Sequence, residues 1–143
     1  MSYCLEVVKQ DLAQSRVAPL LALDDYLLAD GEAMIKVDRF GLTANNITYG
    51  VAGDMIGYWQ FFPAEANWGR IPVWGTGTVI NAGVTELSEG AVYYGYFPMG
   101  SYLVVKPEVI RYAMALPVNS FYMISHIRAN ELENCTFAME SKQ

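Results

Sequence analysis

Hydrophobic positions along the chain come in short runs broken by polar turns, a pattern of strands. Residues 4–10 (CLEVVKQ) and 16–22 (RVAPLLA) are joined by polar DLAQS and read as a first pair of strands. The acidic stretch 23–31 closes on Asp30-Gly31, a turn signal. In residues 32–42, Met34, Lys36, Asp38 and Phe40 alternate with Ile35, Val37 and Arg39, which suits an exposed strand. Asn45-Asn46 favours a turn, and residues 47–62 read as one or two short helical turns with paired aromatics at Tyr58-Trp59 and Phe61-Phe62. Residues 63–70 form a loop. Residues 71–82 are a strand interrupted by Gly75 and Gly77, which predicts a bend or bulge as at a barrel corner.

Residues 86–90 are a turn, and 91–97 and 101–105 are aromatic and β-branched strands, with Pro98-Met99-Gly100 placed as a hairpin connection. Tyr93, Tyr94, Tyr96 and Phe97 must face both sides of such a strand, half of them packing in the core and half covering a groove or interface. Pro107 fits the first position of a helix over 108–116, which Pro117 ends. Residues 119–127 suit either a strand or a helix, and 128–143 are mixed. The pattern predicts one mainly β domain with a few short helices, its roughly five to seven strands forming a barrel or curled sheet.

Composition narrows the function. The 143 residues match one domain with a real core; 53% are apolar and 17% charged, the latter below the usual quarter or so. Net charge is −6 with only 9 lysines and arginines and no basic run, which disfavours nucleic acid. Cys4, Cys135 and the sole histidine, His126, make no zinc signature, and so few cysteines argue against a disulfide. The N-terminus lacks the apolar core of a signal peptide, and the longest uncharged runs fall short of a membrane span, so a soluble cytoplasmic protein is expected.

Gly75-Thr76-Gly77 lacks the third glycine of a dinucleotide fingerprint, which would fall at Ile80, and it sits in a strand pattern; no phosphate loop exists. Asp25, Asp38 and Asp54 could supply a carboxylate base, although such residues usually sit on the surface. The most pointed chemistry lies in residues 40–53 (FGLTANNITYGVAG), read with 58–64 and 68–75. These stretches hold two adjacent asparagines, all three tryptophans and several glycines. Amides among aromatics are what a ligand pocket needs, while a turn or helix cap explains Asn45-Asn46 equally well.

DRFGLTANNITYG, YWQFFPAE, WGRIPVWG and EGAVYYGYFPMGSYLVVKP together resemble an uncharacterised bacterial family of quinone-oxidoreductase-like proteins, a distant branch of the medium-chain dehydrogenase/reductase superfamily. The resemblance covers about residues 5–109 and implies a GroES-like bent β-barrel. In zinc-dependent relatives a cysteine stands where this chain has Thr43, and a Gly-His-Glu element corresponds to Val73-Trp74-Gly75-Thr76, so no metal is expected. No Rossmann domain is expected either, because residues 119–143 depart from the relatives' continuation, and no bound NADH or NADPH, because the dinucleotide fingerprint and a phosphate-cradling loop are missing. The resemblance places Thr43, Asn46 and Tyr49 along a cleft, and the barrel would bring Tyr58, Trp59 and Trp74 to it.

The expected function is a stand-alone GroES-like domain binding a small, mostly apolar ligand without redox chemistry. A cofactor-free isomerase, cyclase or lyase using Tyr49, Asn46 or Asp54 is one alternative. Another is an interaction module, or a half-enzyme completed by a separate nucleotide-binding protein. With no second lobe to cover the barrel, a homodimer is expected.

Overall fold

In the computed structural model, residues 1–83, 85, 87–106 and 121–124 are described. The first expected strand pair forms, displaced toward the N-terminus: β1 (Ser2–Val8) and β2 (Asp11–Leu20) are antiparallel, with Cys4 opposite Ala18 and Leu5 opposite Val17. The polar DLAQS segment, expected as a connection, is part of β2. Polarity suits it there, because β2 is the edge of a three-stranded sheet ordered β2-β1-β4, in which Trp68–Gly69 is β4. None of β2 is buried, and Pro19 costs no ladder bond on a free edge. The loop expected over 63–70 therefore contains a two-residue strand.

A second sheet of five strands has the order β7-β3-β5-β6-β8: β3 is Ala33–Gly41, β5 Pro72–Asn81, β6 Val92–Pro98, β7 Tyr102–Val105 and β8 Phe121–Ile124. It curls into a half-barrel, and the mainly β reading holds, with few short helices: α1 (Ala44–Val51) and 3-10 turns at Leu23–Asp25 and Tyr58–Gln60. Among the described residues there is no Rossmann arrangement, the one parallel pairing being β6 with β8. No helix among them is long and apolar enough to cross a membrane.

Gly75 and Gly77 do mark an irregularity, but the bulge lies in β3. The register slips between Val37 and Arg39, leaving Asp38 without an opposite residue, and the glycines of β5 receive the displaced backbone. A Cβ at Gly75 would overlap the Arg39 carbonyl, and one at Gly77 would stand 2.8 Å from the Lys36 carbonyl.

The expected hairpin through Pro98-Met99-Gly100 does not form. β7 pairs with β3, from Ala33 opposite Val105 to Lys36 opposite Tyr102, on the far side of the sheet from β6. The cause is β1, which captures the connection. Leu5 N–H donates to the Met99 carbonyl (2.8 Å), Ser101 N–H to the Tyr3 carbonyl (2.8 Å), and Tyr3 N–H to Ser101 Oγ (2.9 Å). Gly100 bridges Cys4 so closely that a Cβ would lie 2.8 Å from the Tyr3 carbonyl. Proline and glycine announced a turn correctly; they could not announce which strand waits beyond it.

One core cluster fills the half-barrel with Ile35, Phe61, Phe62, Val79, Phe97 and Leu103 among others. A second joins the two sheets through Val7, Trp59, Ile71, Val73 and Met99. Strand β8 settles the open reading of residues 119–127 in favour of a strand over Phe121–Ile124. The helix expected at 108–116, the mixed segment 128–143, His126 and Cys135 lie outside the described residues.

Candidate functional site

Helix α1 starts at Thr43, whose extended backbone (φ −134°, ψ 169°) makes it the N-cap. Thr43 N–H donates to Asn46 Oδ1 at 2.7 Å, and Asn46 N–H donates back to the Thr43 carbonyl at 3.0 Å. The Asn46 amide then donates through Nδ2 to the Pro72 carbonyl, 3.1 Å away at the start of β5. With 3% exposure, this side chain is a clamp that closes the first helical turn and fastens it to the sheet. Of the two roles open for Asn46, its hydrogen bonds are those of the cap. One turn on, the lack of a side chain at Gly50 lets α1 approach β2 and β5; a Cβ there would meet Leu12 Cδ1 at 2.7 Å.

That placement delivers Tyr49 to an aromatic cluster. Tyr58 reaches the same point because Gly57, at φ +74°, turns the chain through a left-handed residue. Their ring centroids are 4.7 Å apart, and Tyr49 meets Tyr96 edge-on at 6.0 Å. From the sheet, Trp74 on β5 lies directly opposite Tyr96 on β6, with centroids 4.2 Å apart. Phe61 packs 5.8 Å from Tyr96. Tyr96 is thus the hub of Tyr49, Tyr58, Phe61 and Trp74. Burial first, and then hydrogen bonding with Tyr49 and Tyr58, pushes its phenol far above the usual 10.0. At neutral pH the Tyr96 hydroxyl is a fixed neutral donor and acceptor and a poor candidate for a base.

Trp74 presents its other side to Tyr94. The two rings stack at 5.5 Å with 22° between their planes. They line an open groove of about 790 Å³, to which Arg39, Phe40, Thr76 and Val92 also contribute. Asp38, pushed out by the β3 bulge, lines the groove too and accepts a 2.5 Å hydrogen bond from Thr78 Oγ1. This is the split expected of the 93–97 aromatics: Tyr93 and Phe97 are buried, Tyr94 is exposed along the groove and Tyr96 is intermediate.

Of the six positions read from sequence, Tyr49, Tyr58 and Trp74 meet, while Thr43 and Asn46 hold the helix that carries Tyr49. Trp59 goes elsewhere. It is 7% exposed and packs in the second core cluster. Tyr96 and Tyr94 were not among the six, and the signal that finds them is the cross-strand register: Tyr96 opposite Trp74 and Tyr94 opposite Thr76. The three aspartates lie apart, Asp25 in the first 3-10 turn, Asp38 in the groove and Asp54 beside Trp59. Among the described residues, no three of His, Cys, Asp and Glu gather where they could hold a metal ion.

No curated protein and no solved structure matches the chain. A family model described as "Protein of unknown function (DUF2855)" matches residues 40–133, about two-thirds of the chain and the span that carries α1, Tyr58, Trp74, Tyr94 and Tyr96. The chain belongs to that family.

Proposed function

We propose that this is a GroES-like domain whose groove binds a small, flat, mostly apolar ligand without redox chemistry of its own. The observation that carries the reading is the stacked Trp74–Tyr94 pair along an open groove of about 790 Å³. Such a platform takes a planar ring by offset stacking, each aromatic pairing adding about 0.5–1.5 kcal/mol beyond area burial. Tyr96 supports Trp74 from beneath, so the platform is rigid before a ligand arrives. A cofactor-free reading is favoured by Gly75 and Gly77, which lie inside β5 receiving the β3 bulge rather than opening a helix toward a phosphate. A two-ring aromatic such as 2-naphthol tests it by calorimetry. Binding with a Kd on the order of 10⁻⁴ M is expected, and Trp74→Ala should weaken it at least about tenfold with the fold intact. No heat of binding, or equal binding by Trp74→Ala, would refute the groove as the site.

A homodimer is supported separately. Ile47 (61% exposed) and Val51 (76%) stand one helical spacing apart on α1, beside exposed Leu42, and exposed Met55 and Ile56 follow in the turn after it. Residues 40–53, which include Leu42, Ile47 and Val51, contain no charged side chain, and Asp54 is the one charge among the residues from there to Ile56. On a protein of net charge −6, this is a face that two copies bring together without repulsion. Light scattering at micromolar concentration should give a dimer mass that Val51→Glu converts to a monomer; a monomer mass for the unaltered protein refutes it.

A further inference from the structure

Trp59 occupies a slot between two glycines. The edge of its indole bearing Nε1 and Cε2 lies on Gly53, where any Cβ would overlap the ring, and a Cβ at Gly69 would stand 2.5 Å from Cε3 and Cζ3 on the opposite edge. Only 7% of Trp59 is exposed, and its indole N–H has no hydrogen-bond partner among the described residues. A buried donor left without an acceptor costs about 1–3 kcal/mol, so this one needs an occupant.

The Gly53 side of the slot opens on a small cavity of about 250 Å³, which Trp59 and Gly53 line with Lys9, Asp54, Gln60 and Pro63. Lys9 follows β1, and its backbone N–H is fixed by the Asn67 carbonyl at 2.9 Å. Its ammonium makes one long hydrogen bond, 3.3 Å, to the carbonyl of Ala66, a residue held in the left-handed region at φ +39°. Two of its three N–H donors are left over. Among the described residues Lys9 forms no ion pair, with Asp54 or any other acid.

We infer that this cavity is a binding site for a short-chain monocarboxylate, one oxygen accepting from Trp59 Nε1–H and the other from Lys9 Nζ. The volume lies below the 300–1,000 Å³ range of drug-sized ligands and suits a few heavy atoms. Pro63 gives a short alkyl chain an apolar wall. Asp54 lines the same cavity, so its negative charge partly offsets Lys9 and a dianion such as phosphate is disfavoured relative to a monoanion. This site is separate from the Trp74 groove and stands or falls without it.

Indole N–H resonances give a direct test, since the chain has three tryptophans and therefore three signals. Trp68→Phe and Trp74→Phe identify two of them and leave Trp59 by difference, without disturbing the slot. Propionate is titrated against sodium chloride at equal ionic strength. The Trp59 signal should shift saturably while the other two stay, Lys9→Met should weaken saturation about tenfold, and phosphate should leave the Trp59 signal where chloride does. A Trp59 signal that does not move up to about 100 mM propionate, well above a millimolar Kd, would mean that water alone satisfies the indole and would overturn the proposal. Saturation unchanged in Lys9→Met, or an equal response to phosphate, would overturn it too.

Discussion

Trp74 and Trp59 are the same residue in opposite circumstances. Trp74 lies on a strand, opposite Tyr96 and stacked with Tyr94, half-buried along an open groove. Trp59 lies on a single 3-10 turn and is enclosed by backbone, with Gly53 on one edge and Gly69 on the other. The neighbours decide the role. Aromatic neighbours hold Trp74 half-buried in the wall of an open groove, whereas glycine neighbours let Trp59 become a keystone between the two sheets with one buried donor to satisfy.

The comparison breaks if the two tryptophans carry equal weight in stability. Trp59→Ala should cost about 3–5 kcal/mol, the range for emptying an aromatic core site, and Trp74→Ala less than half of that. Urea denaturation of the two variants measures the difference, and equal midpoints would mean that Trp59 is not the keystone. Gly69→Ala belongs to the same experiment, because its new Cβ invades the slot and should cost about 1–3 kcal/mol.

Alkaline titration separates the two regions by pH. Burial pushes the Cys4 thiol, on the β1 strand that reaches the Trp59 cluster, from 9.0 up to about 11, with Glu6 adding to the rise and Arg70 opposing it. The folded state holds this proton more tightly than the unfolded one, so its contribution is complete below pH 9 and is lost as pH rises toward 11, a fall of about 2–3 kcal/mol. Tyr96, in the Trp74 region, acts in the same direction from pH 10 upward. Cys4→Ala should remove the earlier part of the decline and Tyr96→Phe the later part; a single decline unaffected by Cys4→Ala would show the thiol to be exposed.

Glu6 gives a smaller effect. Its carboxylate is 1% exposed and is met by Arg16 at 2.7 Å and Arg70 at 2.8 Å, with Arg16 also lying 4.2 Å over the Trp68 ring. Losing one partner of a fully buried pair costs 3–5 kcal/mol; with both guanidinium groups partly in water, Glu6→Gln should cost about 2 kcal/mol by denaturant midpoint. The smallest change expected is a gain. Ala66→Gly relieves a left-handed alanine and should stabilise by up to about 1 kcal/mol, unless Lys9 loses its carbonyl anchor with it.

The strands were legible wherever one side chain pattern decides one element. Alternation over 32–42, the aromatic run at 91–97 and the paired glycines of β5 each located a strand within a few residues. Partners were not legible, because the pattern of 101–105 suits pairing with β6 as well as with β3, and the choice is made by hydrogen bonds to Tyr3 and Leu5 almost a hundred residues away. The site divides in the same way. Tyr49, Tyr58 and Trp74 announced themselves by residue type, but Tyr96 becomes the hub through cross-strand register alone. Gly53 and Gly69 were visible as glycines; that they flank one indole is a fact of three segments meeting.

The stitch between β1 and residues 99–101 also bears on how fast the fold closes. Strands β1 and β2 can pair at once, since only two residues separate them. Trp68–Gly69 adds a short pairing to β1, but the stitch itself needs Met99, Gly100 and Ser101, the last of them 98 residues from Tyr3. Until it closes, Cys4 lacks Gly100 beside it, and Val7, on the opposite face of β1, lacks Met99 of its core cluster. Closing so long a loop is slow compared with hairpin formation, so the stitch closes well after the β1–β2 hairpin has formed.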